Sequence, residues 1–336
     1  MKNFRKIGCT LFAISAILWG SSTLANDKVT VQLDFVLRGN HGIFYVGKSE
    51  GFFQKQGIDI VAINKGTGSV NTMRQIGSGA SEFGFGDLPT LVIARSQKTP
   101  VVAIAAVNQK NPTAIISLAK TKLDTPKDLE GKSIGVFAAG STFLFYKAFA
   151  SANKLDTSKI EVRTITPPAE NFLLLGRVDT IPGYIDAELP ELEAKAGGPG
   201  SLNVLLGSEN GVAAFGSGLL TSEKMIAEKP DLVRRFVHAY LQALAFTIKH
   251  PDKTADAIIA DNPEYANRRN VLIAQLKADI AKTFTSDVTR EHGLGYMSDS
   301  TAKATIDMLV EQKMIPAPID ASKAFDNQFI QDAPKM

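Results

Sequence analysis

The four histidines, His41, His238, His250 and His292, are the first candidates for metal or acid–base chemistry, but they lie far apart with no HxxH or HExxH spacing. His238 falls inside a long apolar helical stretch and His250 at its end beside Pro251, so both read as structural or solvated. A nucleophilic serine needs a strained elbow such as GxSxG to expose its oxygen at a strand–helix turn. Gly77-Ser78-Gly79 and Gly216-Ser217-Gly218 have the wrong spacing, and Gly140-Ser141 lacks the second glycine. The run Gly66-Thr67-Gly68-Ser69 opens like a dinucleotide loop, yet the third glycine of GxGxxG would fall on Asn71. The run also follows the second strand of the chain rather than the first. These residues suit capture better than catalysis, and no catalytic residue, metal or cofactor is expected.

What remains is binding geometry. Lys65-Gly66-Thr67-Gly68-Ser69 follows a strand and opens a helix, and Ala139-Gly140-Ser141-Thr142 does the same in a second unit. Small residues there let a ligand approach backbone N–H groups, and a helix N-terminus favours an acceptor or a negative charge. The plainer use of Ser and Thr at such a place is N-capping. Two such runs in two units point instead to a cleft that both helix ends face. Leu37-Arg38-Gly39-Asn40-His41-Gly42 forms a polar loop after the first strand. In parallel sheets the ligand crevice lies at the C-terminal strand ends, where this loop would sit.

The elements that must position these residues alternate along the chain. Residues 29–35 alternate as a strand, 42–56 read as helix, 58–63 as strand, 70–76 as helix, 82–85 as strand and 88–96 as helix. The wholly apolar stretch 101–107 reads as a buried strand. A second unit begins near Thr125-Pro126, which suits a helix start, and runs through a strand at 132–137, a helix to about Asn153, a strand at 160–165 and, after Pro167-Pro168, a helix to Leu175. From Pro230 the chain turns mostly helical, with Leu232, Val233, Phe236, Val237, Tyr240, Leu241, Leu244 and Phe246 at helical spacing. Such alternation argues an α/β fold with largely parallel sheets. A weak echo links the units: Gly79, Glu82 and Gly86 recur as Gly176, Asp179 and Gly183. Ordinary helix–turn–strand composition explains that as readily as a shared plan.

The 336 residues are 44% apolar and 21% charged, enough for about two domains. Lys2, Arg5 and Lys6 precede an apolar run over 7–19, followed by small and polar residues to Ala25. These are the three parts of a secretory signal peptide, and the run is short of the ~20 residues a membrane span needs. Cleavage is expected after Ala25. It would remove Cys9 and Trp19, the one cysteine and one tryptophan, and three of 37 basic residues, leaving these equal to the 34 acidic ones. No disulfide or Cys-based metal site is then available. Balanced charge offers no phosphate-neutralising surface, so no nucleic-acid partner is expected. The expected location is the periplasm.

Several segments together resemble a family. They are Leu33-Asp34-Phe35 with Asn40-His41-Gly42, Glu50-Gly51-Phe52-Phe53, Gly66-Thr67-Gly68-Ser69, Glu82-Phe83-Gly84, Asp128-Leu129-Glu130-Gly131, Gly176-Arg177-Val178-Asp179 and Lys229-Pro230-Asp231. Spread in order over nearly the whole chain after the leader, they resemble the ABC-importer solute-binding proteins of the branch that takes thiamine-pyrimidine precursors, sulfonates, taurine and nitrate (NMT1-like). The resemblance implies an α/β, type II periplasmic-binding-protein fold, two lobes with mixed, mostly parallel sheets and a cleft between them. Residues 26–115 and 218–336 would form one lobe and 116–217 the other, with crossings near 113–120 and 212–221, the second hinged at Gly216 and Gly218. Ligand contacts would come from Arg38, Asn40, His41, Thr67, Gly68, Ser69, Asp87, Ser141, Thr142, Tyr184 and Asp186. A small-molecule ligand and an inner-membrane ABC permease are the implied partners of a monomer without cofactor.

This sequence departs from pyrimidine-precursor binders, which carry an aromatic-Pro stretch where Val36-Leu37-Arg38 stands and an aromatic-Asn-Glu near Tyr184-Ile185-Asp186. Arg38 could instead pair a carboxylate or sulfonate bidentately, or lie on the surface. Two other roles remain open on the same scaffold. One is a pyrimidine-synthesis enzyme, although the enzymes that the family resembles look intracellular and use a cysteine-rich iron-binding motif, whereas this chain has an export signal and keeps no cysteine once the leader is cut. The other is a ligand-loaded partner of a membrane receptor.

Overall fold

A computed structural model describes residues 26–137, 141–166, 168–331 and 333–335. The expected leader with its cut after Ala25, Cys9 and Trp19, and also Ala139, Gly140 and Pro167, lie outside the described residues. Among the described residues no helix is long and apolar enough to cross a membrane.

Along the chain, β1 (Asp27–Gln32), α1 (Gly42–Ser49), α2 (Phe52–Lys55), β2 (Ile58–Asn64), α3 (Ser69–Gly77), β3 (Phe83–Asp87), α4 (Leu88–Ser96) and β4 (Val101–Ala106) build most of the first lobe. The second lobe takes β5 (Thr113–Leu118), β6 (Ser133–Val136), α5 (Ser141–Ala152), β7 (Glu161–Thr164), α6 (Glu170–Leu174), β8 (Thr180–Tyr184), α7 (Glu188–Ala196) and β9 (Leu202–Leu206). β10 (Ser217–Ser222) returns to the first sheet. After it come α8 (Glu223–Glu228), α9 (Pro230–Lys249), α10 (Pro251–Asp261), α11 (Arg269–Lys282), α12 (Asp287–His292) and α13 (Asp299–Glu311).

The two sheets have one topology. Their orders are β2-β1-β3-β10-β4 and β7-β6-β8-β5-β9. In each, the central strands are parallel and the strand arriving from the other lobe runs against them. The sequence echo maps onto this symmetry, since its two copies end in β3 and β8, which hold matching places. Glu82 accepts hydrogen bonds from the N–H and hydroxyl of Thr30 on β1, both at 2.7 Å. Asp179 does the same for Ser133 on β6, at 2.8 and 2.7 Å. The repeated acid therefore ties β3 to β1 and β8 to β6, the matching pairs of the two sheets, which composition alone would not produce.

Both crossings lie earlier than expected. The chain leaves the first sheet at Ala106 and enters the second at Thr113, so residues 113–115 belong to the second lobe. The return spans 207–216. The reason is visible in the sequence: the apolar strands break at the polar stretch 108–112, and the segment after it is buried β5 rather than linker. Gly218 lies within β10, opposite Gly86 and Ala106. Gly216 is a contact point, not a loose hinge: a Cβ there would lie 2.6 Å from Asn108 Cβ and 2.7 Å from Pro112 Cδ. Its N–H donates to Asn108 O at 2.9 Å, so the two crossings touch.

The larger core sits in the first lobe under α9, whose residues spaced for one helical face are buried there, except Phe246, which is half-buried. Phe83 stacks on Phe236 at 3.6 Å, and Phe44 links Phe85 to Tyr240. The second sheet carries a smaller core on each face. α11 packs on α10 and on the loop before α1 and also touches α7 of the second lobe, so the C-terminal helices straddle the junction.

Candidate ligand-binding cleft

The equivalent ends of β3 and β8 meet at one cavity. Asp87, the last residue of β3, pairs in register with Ser217 at the start of β10, and Tyr184, the last of β8, pairs with Thr113 at the start of β5. Asp87 N-caps α4 because its Oδ2 accepts the Thr90 N–H at 2.9 Å and the Thr90 hydroxyl at 2.6 Å. The Asp87 N–H donates to Ser69 Oγ at 3.1 Å, which fixes the start of α3 against the strand. Tyr184 Oη and Ser141 Oγ are hydrogen-bonded at 2.8 Å. Asp87, Ser141 and Tyr184, with Asn111 and Thr113 of the first crossing, give the cavity its polar lining, and Phe145, Val212 and Met308 are among its apolar walls. Its volume is about 30 Å³. That is room for about one water. Admitting an organic solute requires the walls to separate.

Among the described residues no lysine or arginine lines this cavity, and Asp87 is its one charged side chain. Burial pushes the Asp87 carboxyl up to about 6, against the pull of its hydrogen bonds from Thr90. Burial also pushes the Tyr184 hydroxyl up and raises Glu188, which accepts the Tyr184 N–H at 2.8 Å, to about 7. The site is therefore a neutral-to-acidic one.

The loop after β1 does something other than expected. Arg38 Nη2 donates to Asp34 Oδ2 at 2.8 Å and its Nε to Asn40 Oδ1 at 3.1 Å. Arg38 is buried, with 8% of its surface exposed, and its guanidinium lies 5.7 Å from the Tyr184 ring centroid. It is not a surface residue, and its charge is already paired with Asp34. Burial alone would raise Asp34, but the Arg38 charge and the His41 hydrogen bond outweigh it and hold the carboxyl below its ordinary value. His41 contacts Asp34 Oδ1 through Nε2 at 2.8 Å and accepts the Arg38 N–H on Nδ1 at 3.3 Å. Those partners assign a neutral ring protonated on Nε2, and burial holds its pKa down. Packed against Phe85 and fully buried, His41 shows no surface to the cavity.

Asn40 and Asp186 meet each other across the junction: Asn40 Nδ2 donates to Asp186 Oδ2 at 2.9 Å. Gln275 of α11 adds a second bridge, accepting the Gly39 N–H and donating to Ala187 O, both at 2.9 Å. The Gly66–Ser69 turn supports this loop from below. A Cβ on Gly66 would fall 2.2 Å from Leu33 O, and the N–H groups of Gly66 and Gly68 donate to Phe35 O and Asp34 O at 3.0 and 2.6 Å. Those amides serve the β1 loop instead of a ligand. Thr67 is exposed, and Thr142, half-buried on α5, is not among the cavity walls. The two turns are not equivalent either, since α3 follows the edge strand β2, whereas α5 follows β6, the counterpart of β1. The sequence reading missed Asn111, Thr113, Phe145, Glu188, Gln275 and Asp279. The polar break at 108–112 could have flagged the first two, but nothing local marks the last two.

Comparison with known proteins follows this geometry. The family model described as NMT1/THI5 like matches residues 38–254. The riboflavin-binding protein RibY of Chloroflexus aurantiacus is 25% identical over 306 residues, covering 90% of this chain and 86% of its own. The formylaminopyrimidine-binding protein of Halalkalibacterium halodurans is 22% identical over 334 residues, covering 97% of this chain and 99% of its own. Among solved structures, the periplasmic aliphatic sulphonate binding protein SsuA from Escherichia coli superposes with a TM-score of 0.70 at 13% identity, over 88% of this chain and 91% of that one. That likeness establishes the periplasmic-binding fold.

Proposed function

Since this chain belongs to the NMT1/THI5-like family, we propose that it is the periplasmic solute-binding component of an ABC importer, a monomer exported by a leader cut after Ala25. Its lobes close on a small organic solute and present it to an inner-membrane permease, with ATP hydrolysed in another subunit. One observation carries this reading: matching strand ends of two lobes enclose a single cavity between them, lined by Asp87, Tyr184 and Ser141. A ligand touching both walls stabilises the closed arrangement, which is all that capture requires.

The same lining favours one ligand charge. Asp87 and hydroxyls accept hydrogen bonds, and Arg38, paired with Asp34, is not among the lining residues. A donor-rich neutral or cationic solute, such as an amino-substituted heterocycle, fits this lining. A sulfonate, carboxylate or nitrate ion finds no basic side chain there. RibY and the formylaminopyrimidine-binding protein are named for heterocycles, which supports that choice. Titration calorimetry against riboflavin, a formylaminopyrimidine, an alkanesulfonate and nitrate tests it. The expected result is micromolar or tighter binding, about −8 kcal/mol, by a heterocycle and none by the anions. Binding by the anions alone overturns the charge assignment, and mass spectrometry of the native protein with no copurifying solute and no calorimetric binder counts against capture itself.

A further inference from the structure

Beyond the cavity, the junction holds two acids that face each other. Asp186 follows β8 in the second lobe, while Asp279 sits on α11, which packs with the first. Their residues are 1% and 0% exposed. Asp186 Oδ2 accepts from Asn40, and Asp279 Oδ1 accepts from Asn108 Nδ2 at 2.6 Å and from the Thr283 hydroxyl at 2.5 Å. The remaining oxygens, Asp186 Oδ1 and Asp279 Oδ2, are buried and have no donor. Gln275, one turn before Asp279 on α11, donates to Ala187 O beside Asp186 at 2.9 Å, which brings the two acids into one buried neighbourhood where each feels the other. An ionised carboxylate only accepts, so two ionised groups cannot satisfy each other. One proton between them supplies the missing donor for both.

We propose that Asp186 and Asp279 form a proton-sharing latch, so that the lobes take up a proton when they close and release it when they part. The charges facing the pair do not remove the need for it. Arg38 is the one cation directed at both acids, and it is paired with Asp34, itself ionised. His41 is neutral, Tyr184 and Glu188 at the β8–α7 junction and Tyr240 on α9 bring no positive charge, and Lys282 at the end of α11 pairs on the surface with Glu209. Burial raises both acids above the ordinary carboxylate value; the Asp186 charge raises Asp279 further, while the Asp279 side chain, as a hydrogen-bond partner, lowers Asp186 in part.

The sign follows from linkage. Parted lobes would hydrate both acids and return them toward ordinary behaviour. Well below the ordinary value both arrangements are protonated, and closure does not depend on pH. As pH rises from there through the raised value, the closed form loses ground by up to tenfold per unit, one proton's worth. This dependence is independent of what the cleft binds, so it can be read on the protein alone. Small-angle scattering of the full chain between pH 4.5 and 8.5 should show the radius of gyration growing as pH rises. Asp279→Asn, whose amide donates without a titrating proton, should stay compact throughout, and Asp186→Asn, with an amide facing Asp279, should do likewise. Circular dichroism identifies either variant that fails to fold. A wild-type radius constant with pH overturns the latch, and so does a folded asparagine variant that keeps the wild-type response.

Discussion

A buried charge is tolerated where its partners are buried beside it, and Arg38 is the case here. Its Nη2 and Nε reach two different acceptors, Asp34 and Asn40, in a fork that lysine cannot copy. Removing it leaves the Asp34 carboxylate buried without its cation. Arg38→Ala is expected to cost about 3–5 kcal/mol in denaturant unfolding, with Arg38→Lys recovering little. The loss should shrink in acid: Asp34 is held below its ordinary value, so the stability it confers is complete above that value and disappears as pH falls through the lowered one. A mutant within 1 kcal/mol of wild type at neutral pH refutes this. The sequence displayed Arg38 inside a polar loop but not its burial. Asp34 stands one helical turn earlier in a loop that is not helical, so their meeting depends on the turn 66–69 that folds the loop back.

At the scale of elements, periodic stretches were legible and crossings were not. The α9 stripe from Leu232 to Leu244 was readable because a 20-residue amphipathic helix repeats its signal over several turns. β5 and β9 pass through the second sheet with short apolar runs that could equally be linkers, and only the pairing of β5 with β8 and of β9 with β5 defines them. The glycines near the return crossing misled for a physical reason: glycine marks either freedom or close approach, and composition cannot tell which. At Gly216 it is close approach. Gly216→Ala must push Asn108 and Pro112 away, and Asn108 is also the residue that donates to Asp279. Overpacking of this kind should lower stability by about 1–3 kcal/mol in chemical unfolding. A free hinge would instead tolerate alanine, or gain slightly from it, and that outcome would sink the contact-point reading.

The whole molecule joins two titrations of opposite effect. Asp87 in the cavity has its carboxyl near 6, so a cationic or donor-rich solute gains its full partner only once pH has risen through that value. The Asp186–Asp279 pair works the other way, since closure weakens as pH rises and the shared proton is lost. Repeated topology explains why the first is legible in outline: the Gly-x-x-acid echo placed β3 and β8 in matching positions, and Asp87 and Tyr184 are the next residues along. The second was beyond reach, because α11 follows β8 by about ninety residues and packs beside it only in the folded protein. Together they predict an affinity for a cationic solute that peaks between two limbs, weak in acid and weak again in alkali. Asp87→Asn should flatten the acid limb with some loss of affinity at the peak, and Asp279→Asn should flatten the alkaline limb alone. Calorimetry across pH on wild type and both variants, with whichever heterocycle binds, measures each limb separately. A single mutation that removes both limbs would show that they share one group, and a monotonic wild-type profile would remove one of the two titrations from binding.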